Sequence, residues 1–188
     1  MKLKTFRTFL LVSGALVAST AATAASYSFD FMANNNSYQV SGILVTEDVL
    51  NALNGYNIVG ISGTVTGSGG GVITSLVANP NSPNPVTQFG YIFDNNLFPS
   101  FAPQLSYPGV LFTTTSGNRW NLWGNSPQDY SLHSYAFSNG NPGSGTGGQE
   151  IHGTFTTTAV PEPESYAMML AGLGLMGAIA RRRKSRAV

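Results

Sequence analysis

Hydrophobic and polar positions alternate along most of the chain. In residues 27–32, Tyr27, Phe29 and Phe31 share one side, while Ser28 and Asp30 share the other. That period of two marks a strand with one buried face. Similar runs, rich in β-branched and aromatic residues, recur at 38–45, 56–66, 72–78, 89–93, 110–115, 119–123, 130–137 and 151–158. Asn, Gly and Pro punctuate the gaps, at 34–36, 67–71, 79–85 and 139–148. Within 56–66 the alternation is less clean, and Gly60 and Gly63 predict a bulge or a close strand crossing. Only residues 47–53 read as a short helix. Strands this short and this frequent predict an all-β domain, a two-sheet antiparallel β-sandwich of jelly-roll type. No fixed-period repeat is present, which argues against a solenoid. The chain is long enough to bury one real core.

Both ends break this pattern. Lys2, Lys4 and Arg7 precede an apolar stretch at 9–18, and Ala22-Thr23-Ala24 then supplies small residues. This is the layout of a secretory signal peptide over residues 1–24, with cleavage after Ala24. Its apolar run is shorter than the roughly 20 residues a membrane span needs. At the other end, Val160-Pro161-Glu162-Pro163-Glu164 leads into residues 165–180, which carry no charge, and then into Arg181-Arg182-Arg183-Lys184. As a helix, 165–180 covers roughly 24 Å, slightly short of a hydrocarbon core of about 30 Å. The expectation is one short transmembrane helix, with local thinning and snorkelling arginines covering the mismatch. The basic cluster 181–184 then acts as a membrane stop on the cytoplasmic side. Pro161 and Pro163 are expected to hold an extended stalk between ectodomain and membrane.

A Pro-Glu-Pro box, a short helix rich in Leu, Gly, Ala and Met, and an Arg-rich tail, in that order, resemble the PEP-CTERM sorting signal, also known as the ice-binding protein C-terminal domain. The resemblance covers residues 160–188, and Pro161, Glu162 and Pro163 match its box. It implies export by the Sec machinery and signal peptidase, then handling by an exosortase, a membrane-embedded cysteine transpeptidase. It also implies a Gram-negative cell that makes extracellular polysaccharide. The organisation expected is a signal peptide at 1–24, a β-rich ectodomain at 25–159 and the sorting signal at 160–188. The ectodomain also resembles the small Gly/Asn/Ser/Thr-rich domains found upstream of this signal, on the strength of residues 56–67 and 94–99; that resemblance implies no activity.

Charge changes the picture further. The whole chain is nearly neutral at +1, but eight of its nine basic residues lie in the two end segments and Arg119 alone lies between. Against it stand Asp30, Glu47, Asp48, Asp94, Asp129 and Glu150, leaving the ectodomain at −5. Such a domain offers no basic face for phosphates, which excludes a nucleic-acid partner. With no cysteine there is no disulfide scaffold, thiolate metal site or thiol nucleophile.

Candidate chemistry is sparse. Six carboxylates could contain an acid/base pair of glycosidase type, but none stands in a marked local context. His133 and His152 lack zinc-ligand spacing. The glycine runs at 67–71 and 143–148 are not phosphate loops, since neither has the required ending or context. Asp94-Asn95-Asn96 offers hard oxygens for Ca²⁺ or, more simply, a turn cap. The threonine runs 113–115 and 156–158 are too short and unrepeated to form an ice-binding face. Trp120 and Trp123 are candidate sugar contacts, although positions three apart on one strand face opposite ways. No metal, cofactor or enzymatic activity is expected. The reading is a sorted surface or extracellular-matrix protein with a structural or interaction role in exopolysaccharide or biofilm. It would pass through an inner-membrane-anchored intermediate with a periplasmic ectodomain before reaching the cell surface or matrix. Its rival is a carbohydrate-binding module, or a weak carbohydrate-active enzyme, acting on that exopolysaccharide.

Overall fold

The computed structural model describes residues 25–135, 150–161 and 163–184. Within these, the strands are β1 (Ser26–Ala33), β2 (Gln39–Thr46), β3 (Tyr56–Thr66), β4 (Gly71–Leu76), β5 (Val86–Gln88), β6 (Tyr91–Phe93), β7 (Asn96–Leu97), β8 (Val110–Thr114), β9 (Arg119–Ser126), β10 (Asp129–Tyr135) and β11 (Ile151–Val160), followed by helix α1 (Pro163–Lys184). The alternation in the sequence therefore marks real strands. The hairpin strand β5 and the two-residue β7 were not expected. The segment 47–53 is a loop rather than a helix. A helix of that length is marginal in water, and here the Asn51 side chain accepts the Leu53 and Gly55 N–H groups in an Asx-type turn. Asn54 adopts φ 61°, and Val49, Leu50 and Leu53 stay exposed, so no apolar stripe is packed that would hold a helix.

Eight strands form one antiparallel sheet in the order β2-β1-β11-β10-β9-β8-β4-β3, and β3 pairs back onto β2. The sheet is thus a closed eight-stranded barrel, which replaces the expected two-sheet sandwich. The β2–β3 seam carries the correction. It is a ladder from Gln39↔Thr66 to Thr46↔Ile58, with a register shift between Val45 and Thr46. In a sandwich those backbone groups would lie on separate edges; here they pair and the edge disappears. The glycines make this geometry possible. Gly42 stands opposite Gly63, and a Cβ on Gly42 would lie 1.8 Å from the Ser62 carbonyl oxygen. Gly60 sits opposite Val45, beside the shift. Both features foreseen for Gly60 and Gly63 are present, and together they close a barrel.

Inward positions fill the lumen. Phe29, Phe31, Val40, Leu44, Val65, Phe112, Trp120, Leu122, Tyr130, Leu132 and Phe155 are all buried in one cluster. At this strand number a barrel interior is just wide enough for side chains or one small ligand. The long excursion between β4 and β8 covers one end, where Leu97 and Leu105 form a bridge and enter the same core. Gln104 N–H donates to the Tyr130 hydroxyl and Gly124 N–H to the Ser106 carbonyl, tying that excursion across the ends of β9 and β10. Outside the wall, Tyr91, Phe93 and Leu111 make a second small core beneath the β5–β6 hairpin. Strand β8 is accordingly buried on both faces.

Helix α1 forms near the place expected, but its start differs. Strand β11 runs to Val160, and Pro163 is already the first residue of the helix. Proline favours that position, since its missing N–H would be unpaired there anyway. Of the expected extended stalk, only Pro161 lies between strand and helix among the described residues, and Glu162 lies outside them. Among the described residues no helix is long and apolar enough to cross a membrane. The transmembrane span expected at 165–180 therefore finds no support in this helix, whose uncharged stretch contains Gly172, Gly174 and Gly177 and ends at Arg181.

Candidate functional site

The register gives the barrel two different ends. Ser26 pairs with Val160, so the first residue of β1 and the last of β11 lie side by side, next to Pro161. Strand β11 runs antiparallel to β1 for eight residue pairs, ending at Ala33↔Gly153. The β1–β2, β3–β4 and β8–β9 turns therefore gather at the far end, away from the Pro-Glu-Pro box. The predicted cleavage residues Ala22 and Ala24 lie outside the described residues, as does Glu162. The basic residues Arg181, Arg182, Arg183 and Lys184 form the last turn of α1.

At the far end the lumen opens into a cavity of about 450 Å³, the size range of small-ligand pockets. Its lining combines Tyr38, Trp120 and Ile151 with short polar side chains: Asn34, Asn35, Ser37, Ser68, Asn118 and Ser134. Glu150 and His152 stand at its rim. Trp120 and Ser134 are directly opposite in the β9–β10 ladder. Both lie on the inward face, in step with Leu122 and Leu132 of the core. Trp120 is only 2% exposed, and the Tyr38 ring lies over it, centroids 5.7 Å apart and tilted by 54°. Tyr38 is itself held by a hydrogen bond from its hydroxyl to the Ser68 carbonyl, 3.2 Å. Among the described residues the Trp120 indole Nε1 and the Ser134 hydroxyl are buried without hydrogen-bond partners.

The two tryptophans do not share a surface. Trp123 lies on the opposite face of β9, half-buried, with its Nε1–H donating to Asn125 Oδ1 at 2.8 Å. Sequence alone suggested Trp120, but not its companions Tyr38, Ser134 and Asn118. Only the strand register brings these together.

On the outer wall, five polar residues of β9, β10 and β11 form a network. His152 Nδ1 is 2.9 Å from Asp129 Oδ1, and its Nε2 is 3.7 Å from Glu150 Oε1. Asn125 donates to Asp129 and to Ser131, and Ser131 donates to Glu150. The bond to Asp129 raises the His152 pKa above its ordinary value; desolvation opposes it, and Coulombic attraction from Asp129 and Glu150 adds to the rise. No hydrogen bond joins Ser131 to His152 among the described residues, so the group does not have the order of a nucleophilic triad.

Asp94, Asn95 and Asn96 are all buried. Asn95 donates to the Val77 carbonyl and accepts from Leu111 N–H; Asn96 donates to the Pro83 carbonyl and accepts from Asn51. Asp94 accepts from Ser106 and from Asn96 N–H. Only the Asp94–Asn96 bond is a local turn cap; the others tie this segment to the excursion around it, to the barrel wall and to the loop after β2. Desolvation raises the Asp94 pKa, and the bonds from Ser106 and Asn96 partly offset it. Among the described residues no group of three His, Asp or Glu side chains could hold a metal ion.

Residues 159–184 match the PEP-CTERM protein-sorting motif. The chain thus carries this sorting motif from the end of its last strand through helix α1. That motif implies export, a membrane-anchored sorting intermediate and processing by an exosortase, a membrane transpeptidase. No curated protein and no solved structure matches the chain.

Proposed function

We propose that the protein is a non-catalytic component of the cell surface or extracellular matrix, with the barrel as the cargo of its sorting motif. The observation that carries this reading is the direct junction of the two. Strand β11 is part of the closed wall and ends at Val160, one residue before the box. A cut near the box then releases or transfers a complete barrel, because no strand of the wall lies beyond it. A surface with a single basic residue and many Asn, Ser and Thr side chains suits a hydrated neutral matrix better than an anionic one. The exosortase is the sorting partner, and the exopolysaccharide or biofilm matrix is the proposed final setting. Fractionation tests this. The processed barrel should co-purify with extracellular polysaccharide and move to the free medium when polysaccharide synthesis is blocked. A distribution unchanged by that block would refute the matrix role.

A second reading, a carbohydrate-binding module, is favoured by the aromatic and amide-lined cavity at the open end of the barrel.

A further inference from the structure

Four features meet at the open end of the barrel. The cavity is about 450 Å³ and faces away from the sorting motif. Two polar atoms on adjacent inward positions, Trp120 Nε1 and Ser134 Oγ, are buried without partners. Buried polar atoms are nearly always paired in native proteins, so two together need an explanation. One aromatic side chain, Tyr38, packs against the Trp120 ring and is latched by a hydrogen bond to the β3–β4 turn. The rim adds Asn118, whose Nδ2 is occupied by the Gly69 carbonyl at 2.7 Å, leaving its Oδ1 to accept from a ligand.

We propose that this mouth is a binding site for the end of a neutral saccharide, reached when Tyr38 swings aside, with Trp120 Nε1–H and the Ser134 hydroxyl donating to the sugar and Asn118 Oδ1 accepting from it. The proposal rests on the carbohydrate-binding reading and gives that reading its site. The ligand class follows from the lining. Amides and hydroxyls match a ligand edged with hydroxyl groups, and the Tyr38 ring offers a face for sugar C–H groups. Among the described residues no Lys or Arg lines the cavity, and the surrounding domain is acidic, so an anionic ligand finds no counter-charge there. The two ionisable rim residues are already engaged, Glu150 by Ser131 and His152 by Asp129. A barrel mouth is closed below by the core, so it admits a chain end rather than a chain passing across it. Trp123, on the outer face, takes no part.

The test is calorimetric titration of the purified full chain, in a non-glycosidic detergent, with glucose, maltose, cellobiose and N-acetylglucosamine, and with glucuronate and adenosine as controls. The expected result is saturable binding of at least one neutral saccharide and none of glucuronate. Trp120→Phe, which keeps the ring and removes the N–H, should weaken binding by about tenfold, an interval of about 1.4 kcal/mol. Ser134→Ala should act in the same direction without lowering the melting temperature, since its hydroxyl has no hydrogen-bond partner among the described residues. Trp123→Phe should bind as the parent does. The site is refuted if no neutral saccharide binds, if adenosine or glucuronate binds better, or if Trp120→Phe and Ser134→Ala both bind unchanged. Co-purification with the matrix is a separate readout, so failure of this site leaves the matrix role to its own test.

Discussion

The closure of the barrel can be tested at one residue. Gly42 lies in β2 opposite Gly63 in β3, and an added Cβ would sit 1.8 Å from the Ser62 carbonyl oxygen and 2.8 Å from Gly63 Cα. A carbon–oxygen approach between strands is normally about 3.3 Å or more, so Gly42→Ala must push the seam apart by roughly 1.5 Å. Both obstacles are backbone atoms, and neither can rotate away. A shift of that size breaks about two ladder hydrogen bonds, each contributing about 0.5–1.5 kcal/mol, and strains the packing on either side by about 1–3 kcal/mol. The expected loss is about 2–6 kcal/mol. For a domain of this size that lowers Tm by about 8–24 °C. Gly117→Ala is the control, because Gly117 has φ 82° but nothing within 4 Å of the added carbon. Its left-handed strain of about 1–2 kcal/mol is partly offset by a stiffer unfolded chain, worth about 0.4–1 kcal/mol. Its Tm should fall by about 4 °C. Thermal unfolding followed by far-ultraviolet circular dichroism reads both. If Gly42→Ala melts no lower than Gly117→Ala, the β2–β3 seam is open and the barrel reasoning is wrong.

Two further predictions concern titration. His152 should titrate above 6.5 in a proton NMR titration, and Asp129→Asn should bring it back down; an unchanged value in the variant would show that Asp129 does not hold the ring. Because the folded pKa is raised, the stability His152 contributes is fully present below the unfolded value and is lost as pH rises through the folded one. Asp94 is also raised, by burial, so the fold favours its neutral form, and the parent should gain stability relative to Asp94→Asn as pH falls through the folded pKa toward 3.8. A urea-midpoint difference between the two that does not change with pH would contradict this.

Much of the strand content is legible in the sequence because each strand carries its own signal. Tyr27, Phe29 and Phe31 announce a buried face whatever lies beside it. Closure does not work that way. Nothing in residues 39–46 says whether β2 has one neighbour or two, since the information resides in a glycine facing another glycine 21 positions away. The misread helix at 47–53 has a similar cause: Asn51 rewrites the local hydrogen bonding with its side chain, and a hydropathy pattern does not register that. The mouth shows the same limit. Trp120 stands out in sequence, yet Ser134 becomes its neighbour only through the β9–β10 register, and Tyr38 only through closure of the sheet. The sorting motif is different in kind. Its three parts are contiguous, so it needs no fold to be recognised.

The central claim is that an intact barrel is delivered by a motif that begins where its last strand ends. Intact-mass spectrometry of the protein released by exporting cells tests this most directly. The account predicts a species that starts close to Ala25, retains β11 through Val160, ends near Pro161-Glu162-Pro163 and lacks Arg181, Arg182, Arg183 and Lys184. A released species that still ends at Val188, or one cut inside β11, would contradict it.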